Sequence, residues 1–386
     1  MASERSEYEK LGVDPGKGAV RKAFGEIVNN DFPRAFCNIV RYPGRPGWVR
    51  TKHADGDGSK FVQRLLHYKE TGDEEIFQGI VDDAFSMNTG DVAAAGFVSD
   101  AEFEFSDIIA INAINVPKDL VMRQIILRIR TLLELYGEYG FCFDFFGGET
   151  ADLPDQVQTM VFDMDIRAAA REENIIKGNV EIGDSIFGFA SHGRAVWERR
   201  YNSGIGSNGL TLARICLMHS DYAKKYPFLC RPDKPYRGEF RVEAAPVEFG
   251  GLTISEAILS PTRQYALVID LLIKELKERN GFHLLHGISM NTGGGATKVR
   301  NLGKGICYVK NMPDPPPLFY LLKKVTGESW MNMHKIFNCG VGIDVIGSPE
   351  DGVLEAAEKA VSEKIRVGCF FLGKCEKPDG DSRGFL

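Results

Sequence analysis

The chain has 386 residues, of which 44% are hydrophobic and 26% are charged, and its formal net charge is −6. This length and composition predict a globular protein of about two domains, each large enough to bury its own core. No block of like charge indicates a nucleic-acid or membrane surface, and no apolar run approaches the roughly 20 residues of a spanning helix. We therefore expect a cytoplasmic protein that binds neither nucleic acid nor membrane.

Helix start signals and hydrophobic spacing predict most of the regular elements. Helices are predicted to begin at or beside Asp14, Pro117, Ser260 and Ser348, where a capping residue or a proline precedes an apolar stripe. Short apolar runs between the helices are typical of strands. Because helices and strands alternate irregularly in both halves of the chain, we expect a mixed α/β (α+β) fold.

The first acid-bearing stretch precedes an apolar helical pattern. It combines two carboxylates, two glycines, a hydroxyl and a lysine, which are Asp55, Asp57, Gly56, Gly58, Ser59 and Lys60. Backbone N–H groups at such a turn can hold phosphate together with a lysine. The stretch is therefore either a phosphate-binding turn or a surface Asp-Gly turn.

Two further carboxylates follow predicted elements. Asp91 comes after a predicted helix over residues 76–87, where it is either a cap or a ligand. An aromatic, alternating run over residues 141–146 predicts a strand, and the loop expected behind it contains Gly147, Gly148, Glu149 and Thr150. Paired glycines let backbone N–H groups approach a ligand, which suits a metal-bound phosphate. A tight turn out of a core strand is the alternative.

Residues 172–178 are polar and separate the first set of predicted elements from the second. We therefore predict two domains, residues 1–178 and residues 179–386. In the second domain, a Gly-rich stretch around Asn208 leads into a helix, and an Asn-Thr-Gly-Gly-Gly loop is followed by Lys298. Both stretches have the small residues of loops that approach a ligand closely.

These motifs, in this order, resemble those of the phosphoribosylformylglycinamidine cyclo-ligase family, also called aminoimidazole ribonucleotide synthetases. The resemblance extends from Tyr8 to Gly342. Its most specific marks are residues 147–154 (GGETADLP), 260–263 (SPTR), 292–295 (TGGG) and 337–342 (FNCGVG). It implies a homodimer of two-domain α/β chains. The amino-terminal domain of such a chain binds ATP and contributes strands to a barrel at the dimer interface, and the carboxy-terminal domain is synthetase-like.

The resemblance also implies an ATP-dependent ligase of de novo purine biosynthesis. ATP would phosphorylate the formyl oxygen of formylglycinamidine ribonucleotide, and a nitrogen of the same substrate would attack the activated carbon. Ring closure would release aminoimidazole ribonucleotide, ADP and phosphate. In this family ATP lies between the two domains.

Site residues follow from the same resemblance. Mg²⁺ that bridges ATP phosphates needs oxygen ligands, and the acids at the family's positions are Asp55, Asp91 and Glu149. Asp91 and Lys60 are the expected catalytic pair, with Lys60 stabilising the phosphoryl group during transfer. The expected nucleotide contacts are Asp55, Gly56, Gly58, Ser59, Lys60, Gly147, Gly148, Glu149, Thr150 and Asn208.

The chain departs from the family at several places. Gly206 and Met290 stand where the family usually has histidine, so that either His192 or His286 substitutes for a missing imidazole or both are structural. The arm over residues 31–40 lacks the family's first Gly-rich loop. Residues 191–201 look like an insertion, which is either a lid over the substrate or a solvated loop. Arg263 either serves the substrate's phosphate or caps a neighbouring element.

Two other functions remain open. Selenophosphate synthetase and thiamine-monophosphate kinase belong to the same superfamily, but Cys37 lacks the lysine neighbour that the synthetase needs, and the kinase more often has aspartate at the position of Glu149. A catalytically silent, nucleotide-binding paralogue is the second alternative, because Gly206 and Met290 replace histidines.

Overall fold

The computed structural model describes residues 6–12, 23–25 and 27–378. The helix predicted to begin beside Asp14 lies for the most part outside these ranges. The described residues form two five-stranded sheets with helices packed on them, so the predicted mixed α/β fold is confirmed. No helix in the described ranges is both long enough and apolar enough to cross a membrane.

The first sheet is built from residues 39–171. Its strands are β1 (Ile39–Arg41), β2 (Trp48–Gly56), β3 (Glu102–Ile111), β4 (Phe143–Asp152) and β5 (Met160–Arg171). They lie in the order β1-β2-β5-β3-β4, and all neighbours are antiparallel except the parallel pair of β3 and β4. The helices of this half are α1 (Glu7–Lys10), α2 (Lys60–Thr71), α3 (Gly79–Ala93) and α4 (Lys118–Glu138).

The second sheet is built from residues 185–376. Its strands are β6 (Ser185–Ala190), β7 (Leu285–Met290), β8 (Cys307–Lys310), β9 (Val341–Gly347) and β10 (Cys369–Glu376), in the antiparallel order β7-β9-β6-β10-β8. The helices are α5 (Leu210–Leu217), α6 (Asp221–Lys225), α7 (Ile254–Leu259), α8 (Tyr265–Glu278), α9 (Pro317–Thr326), α10 (Trp330–Ile336) and α11 (Val353–Ile365). Every residue of β6 and β9 is buried, so both faces of this sheet are covered. The predicted domain boundary at residue 178 falls between the two sheets and stays a prediction.

Helix α3 lies in the centre of the molecule. Fourteen of its fifteen residues are buried, because it packs on β2 and β5 of the first sheet and also on α8 and β7 of the second half. The sequence predicted that this helix ends near residue 87, whereas it continues to Ala93. The side chains of Asn88 and Thr89 donate to the carbonyls of Ala84 and Phe85 one turn earlier, which satisfies polar groups inside a buried helix.

Strand β4 also continues further than the sequence predicted. Phe146 and Gly147 stand together opposite Ser106 of β3, which is a β-bulge, and pairing resumes at Gly148. A Cβ atom on Gly148 would lie 1.7 Å from a carboxylate oxygen of Asp107, so only glycine fits there. The Gly-Gly-Glu stretch is therefore part of an edge strand and not a loop behind it.

Candidate functional site

Asp91 is the centre of a polar cluster between the two sheets. Its Oδ2 atom lies 3.2 Å from Nζ of Lys298 and 3.2 Å from Nε2 of His53, whereas its buried Oδ1 atom has no hydrogen-bond partner among the described residues. Burial alone would raise the pKa of Asp91, but the positive charges of Lys298 and His53 outweigh burial and lower this pKa to about 2. Asp91 is therefore an ionised carboxylate with one oxygen still able to accept a ligand.

The partners of Asp91 come from distant parts of the chain. His53 lies on the helix-facing side of β2, where Nδ1 is 3.1 Å from the side-chain oxygen of Asn88. Lys298 lies in a 3₁₀ turn behind the Gly-rich loop and donates to Oγ1 of Thr292 at 2.6 Å. The Lys298 ammonium also lies 4.8 Å from the ring centre of Phe36, so the altered arm over residues 31–40 reaches this cluster. His53 was not among the residues predicted from the sequence, and Lys298 was predicted only to follow a Gly-rich loop.

Asp55 lies on the same face of β2 as His53, two residues further along the strand. It is half-buried, and its Oδ1 accepts a hydrogen bond from the N–H of Gly56 at 2.8 Å. Burial lowers the pKa of His53, but the charges of Asp91 and Asp55 together raise it above its usual value. The structure therefore brings two of the three predicted acids, Asp55 and Asp91, to the same imidazole.

Glu149 lies elsewhere. It is exposed on the edge strand β4, in a cross-strand row with Ile108, Asp163 and Gly56, and this row faces away from α3. Two strands separate β4 from β2, which corresponds to roughly 14 Å at the usual spacing of strands. Gly147, Gly148 and Thr150 share the edge strand with Glu149. Across the described residues, no group of three or more His, Cys, Asp or Glu side chains could hold a metal ion.

Lys60 is fully buried and does not face the Asp91 cluster. Its Nζ atom donates to Oδ1 of Asp83 at 3.1 Å and to the carbonyls of Ser260 at 2.6 Å and Gly206 at 3.0 Å. An ammonium has three N–H donors, and these three contacts use all of them. In this arrangement Lys60 connects α2 to two loops of the second half through hydrogen bonds. It has no N–H donor left for a phosphate.

The glycines and Ser59 around Asp55 form a short connection between β2 and α2. Gly58 is exposed and has a φ of +61°, which favours glycine, and Oγ of Ser59 lies 2.9 Å from Oγ1 of Thr211. Gly56 is buried, and a Cβ atom there would lie 2.3 Å from the carbonyl oxygen of Phe162. Gly56 is therefore required by close packing of β2 against β5, whereas Gly58 remains accessible.

The motifs of the second half converge on one small polar cavity. Its lining includes one or more side chains from each of the four stretches that surround Asn208, Thr262, Thr292 and Asn338. Asn338 accepts from Oγ of Ser191 at 3.0 Å and donates to the carbonyl of Gly204, which fixes the loop ahead of Asn208. The cavity is lined by amides and hydroxyls and has a volume of about 10 Å³, so in this state it has room for about one water molecule and not for a nucleotide.

The two positions that lack histidine have structural roles. Met290 is fully buried, and its Cε atom lies 2.6 Å from the position that a Cβ atom on Gly90 of α3 would take, so its side chain packs against this helix. Gly206 has a φ of +66° and its carbonyl accepts from Lys60. Of the two possible substitutes, His192 is half-buried beside Gly340, and burial lowers its pKa.

The other candidate, His286, lies at the opposite end of β7 from Met290. Its Nδ1 atom is 2.8 Å from Oδ2 of Asp184, and this hydrogen bond raises the pKa of the imidazole above its usual value. His286 is therefore paired with a carboxylate and does not occupy the position of Met290.

The pair of His286 and Asp184 should make stability depend on pH. A raised pKa in the folded protein means that the stabilisation is fully present below the unfolded pKa of about 6.5 and is lost as pH rises through the folded value. We expect the free energy of unfolding of the wild type to exceed that of His286→Gln by about 0.5–1 kcal/mol at acidic pH and by less at alkaline pH. Urea unfolding at pH 5.5 and 8.5 measures the difference, and equal differences at both pH values would contradict the assignment.

Arg263 has a structural role. Its guanidinium donates to Oε1 of Glu198 at 2.8 Å and to the carbonyls of Ala190 at 2.6 Å and His192 at 3.1 Å. These contacts hold the insertion over residues 191–201 against the loop that follows Ser260. Between the insertion and helices α2 and α4 lies a cavity of about 460 Å³ with Trp197, Tyr139 and Tyr201 among its walls. The insertion is thus packed against the protein on one side.

The chain is similar in sequence to phosphoribosylformylglycinamidine cyclo-ligases, which confirms the resemblance inferred from the motifs. It is 30% identical to that of Methanococcus vannielii over 234 residues, which are 60% of this chain and 55% of the relative. It is 31% identical to that of Methanosarcina mazei over 231 residues, which are 57% of this chain and 58% of the relative. The chain thus spans little more than half the length of the curated relatives it matches. No protein-family model matches the chain.

Solved structures share the fold over nearly the whole chain. A chain of the HypE–HypF complex superposes with a TM-score of 0.53 at 14% identity and covers 94% of both chains. The tt0281 protein from Thermus thermophilus superposes with a TM-score of 0.51 at 13% identity and covers 95% of this chain and 96% of its own. At such identities the likeness concerns the fold alone.

Proposed function

We propose that this chain catalyses the ATP-dependent closure of formylglycinamidine ribonucleotide to aminoimidazole ribonucleotide, with release of ADP and phosphate, in purine biosynthesis. The observation that carries the proposal is the convergence of the stretches around Asn208, Thr262, Thr292 and Asn338 on one polar cavity. Lys298 and Thr292 join the Gly-rich loop of the second half to Asp91 of the first. The cyclo-ligase names of the relatives support this function over other uses of the same fold.

We propose that Asp55 and Asp91 hold Mg²⁺ together with the phosphates of ATP. Magnesium in nucleotide sites is usually bound through one or two carboxylates plus phosphate oxygens, so two acids suffice. The unpartnered Oδ1 of Asp91 fits such a ligand. When bound, the ion would neutralise the charge that develops on the transferring phosphoryl group. Glu149 of the same chain faces the other side of the sheet, and we leave it out of this magnesium site.

The side chains and backbone of this chain would mainly bind and orient the substrates. Asn208 and Thr292 would form hydrogen bonds with a polar group of the ligand beside the small cavity that they line, and the N–H groups of Gly293 and Gly294 would face phosphate. Lys60 would not contact the ligand. It would position the loops that contain Gly206 and Ser260 through hydrogen bonds to their carbonyls. Phosphoryl transfer depends chiefly on position and charge, so this arrangement is sufficient without a covalent step on the protein.

We further propose a homodimer through the open face of the first sheet. Ile108, Phe146 and Val161 point away from the helices there and are 57%, 72% and 41% exposed. Clustered apolar side chains on a sheet face that no helix covers are typical of an interface.

Phe146→Glu should separate the proposed dimer, because a carboxylate would have to be buried at the interface without a partner. We expect light scattering after size exclusion to give the mass of one 42.8 kDa chain for this variant and twice that mass for the wild type. Val247→Glu changes an even more exposed apolar residue of the second half and should leave the dimer intact. A wild type that is monomeric at all concentrations would refute the interface.

Product formation tests the reaction itself. The protein would be incubated with formylglycinamidine ribonucleotide, ATP and Mg²⁺, and aminoimidazole ribonucleotide and ADP would be measured together. Their formation in equal amounts supports the ligase. Nucleotide binding without product would instead favour a silent paralogue, for which the buried Met290 is the specific observation. Phosphorylation of thiamine monophosphate or formation of selenophosphate would assign the chain to a sister activity.

A further inference from the structure

Lys298 and Asp91 form an ion pair across the proposed nucleotide site. Their side chains are 18% and 10% exposed, so water screens the attraction only in part. Lys298 and His53 both approach Oδ2 of Asp91, whereas the buried Oδ1 has no hydrogen-bond partner in the part of the chain that the structure describes. In this state a protein cation already compensates the carboxylate that we propose as a magnesium ligand.

A divalent ion at Asp91 would meet the positive charge of Lys298 at short range. Two cations on one carboxylate repel each other, and the repulsion disfavours metal binding as long as the ammonium stays in place. A lysine side chain has a flexible four-carbon stem and can move to a nearby anion without a change in the backbone. The nearest place for an anion is the Gly-rich loop, because Lys298 already donates to Thr292 at its start.

We propose that Lys298 is a specificity-determining residue. In the nucleotide-free chain its ammonium pairs with Asp91, and it moves to the phosphates when the metal arrives with a nucleotide. The site would then bind a metal–nucleotide complex well and the metal alone poorly. This inference rests on the proposed nucleotide and magnesium site, but not on which reaction the chain catalyses. The ligand class is a nucleoside di- or triphosphate with its divalent cation.

A purely structural role for Lys298 makes a different prediction. If the ion pair only joined α3 to the second half, its removal would lower stability and weaken or leave unchanged the binding of metal and nucleotide alike. The proposed transfer requires opposite changes: tighter binding of the metal alone, because a repelling charge is gone, and weaker binding of the nucleotide, because a phosphate contact is gone.

The experiment measures binding of Mn²⁺, which prefers the same oxygen ligands as Mg²⁺ and gives an electron paramagnetic resonance signal when free. We expect Lys298→Met to bind Mn²⁺ about tenfold more tightly than the wild type, as removal of one charge at this distance allows. The same variant should bind ADP with Mg²⁺ about tenfold more weakly, measured by calorimetry. Asp91→Asn should abolish the Mn²⁺ site in both backgrounds.

Two further variants keep the test independent of folding. Lys298→Arg retains the charge and should bind Mn²⁺ as the wild type does, whereas Lys304→Met removes an exposed charge from the same region and should change neither affinity. The proposal is overturned if Lys298→Met binds Mn²⁺ no more tightly than the wild type, which includes no detectable binding by either protein. Neither measurement uses the purine substrate, so failure of ring closure and failure of this inference can be told apart.

Discussion

Replacing Asp83 with asparagine should lower the free energy of unfolding by about 3–5 kcal/mol, because it removes the common partner of two buried cations. Asp83 is fully buried and forms ion pairs with Lys60 and Arg64, and it also accepts hydrogen bonds from the N–H and the hydroxyl of Thr262. Burial alone would raise the pKa of Asp83, but Lys60 and Arg64 outweigh it and lower this pKa. In the variant, both cations would depend on Asp57.

Asp57 can compensate only in part. Burial raises the pKa of Asp57 and so disfavours its charged form, and its contact with Arg64 is long, at 3.4 Å. The measurement is urea unfolding followed by tryptophan fluorescence. Asp100→Asn is the matched control, because Asp100 pairs with Lys277 at the surface and its loss should cost at most about 1 kcal/mol. A loss below 1 kcal/mol for Asp83→Asn would show that the buried cluster does not hold the two halves together.

Asp91→Asn should reduce turnover in the ring-closure reaction by about 10²–10³-fold, since the variant loses a full charge at the proposed magnesium site. An amide has the shape of the carboxylate, so the helix around it should keep its packing. The rate of aminoimidazole ribonucleotide formation at saturating ATP and Mg²⁺ measures the effect.

The control for Asp91→Asn is again a variant in which a surface aspartate is replaced by asparagine. Asp100→Asn should retain the wild-type rate within about twofold, because Asp100 is a surface residue whose hydrogen-bond partners, Asn174 and Lys277, lie outside the cluster. If Asp91→Asn kept more than about a third of the wild-type rate, the carboxylate would not take part in phosphoryl transfer, and the proposed metal site would have to be abandoned.

The sequence predicted element types well and element ends less well. The apolar runs over residues 185–190 and 210–217 predict a strand and a helix, and β6 and α5 occupy these residues. Each of the three predicted acids was expected in a turn or a loop or at a helix end, yet Asp55 and Glu149 lie within strands and Asp91 within a helix. Glycine and asparagine usually mark the end of an element, but a β-bulge and side-chain hydrogen bonds to the previous turn let these elements continue.

The site was predicted where it depends on local motifs and missed where it depends on tertiary contacts. The resemblance named Asp91 and Asn208, but nothing in the spacing indicated that Lys298 pairs with a residue 207 positions earlier. His53 was not predicted, because the stretch that contains it was interpreted as a turn, whereas it is the end of strand β2. Lys60 opens a helix behind a Gly-rich stretch, and this pattern is the same whether the ammonium faces a phosphate or, as here, a buried aspartate.

Helix α3 is buried on all sides, so the two halves of the molecule should unfold together. One flank of this helix is covered by the first sheet and the other by α8 and β7, so neither half of the chain can shield it alone. A fragment produced by cleavage between the two sheets would expose an apolar side of α3 to water and should aggregate. Thermal unfolding should accordingly give a single calorimetric peak. A chimera in which one half is exchanged for that of a relative should fold only if the residues that contact α3 are exchanged together with the helix.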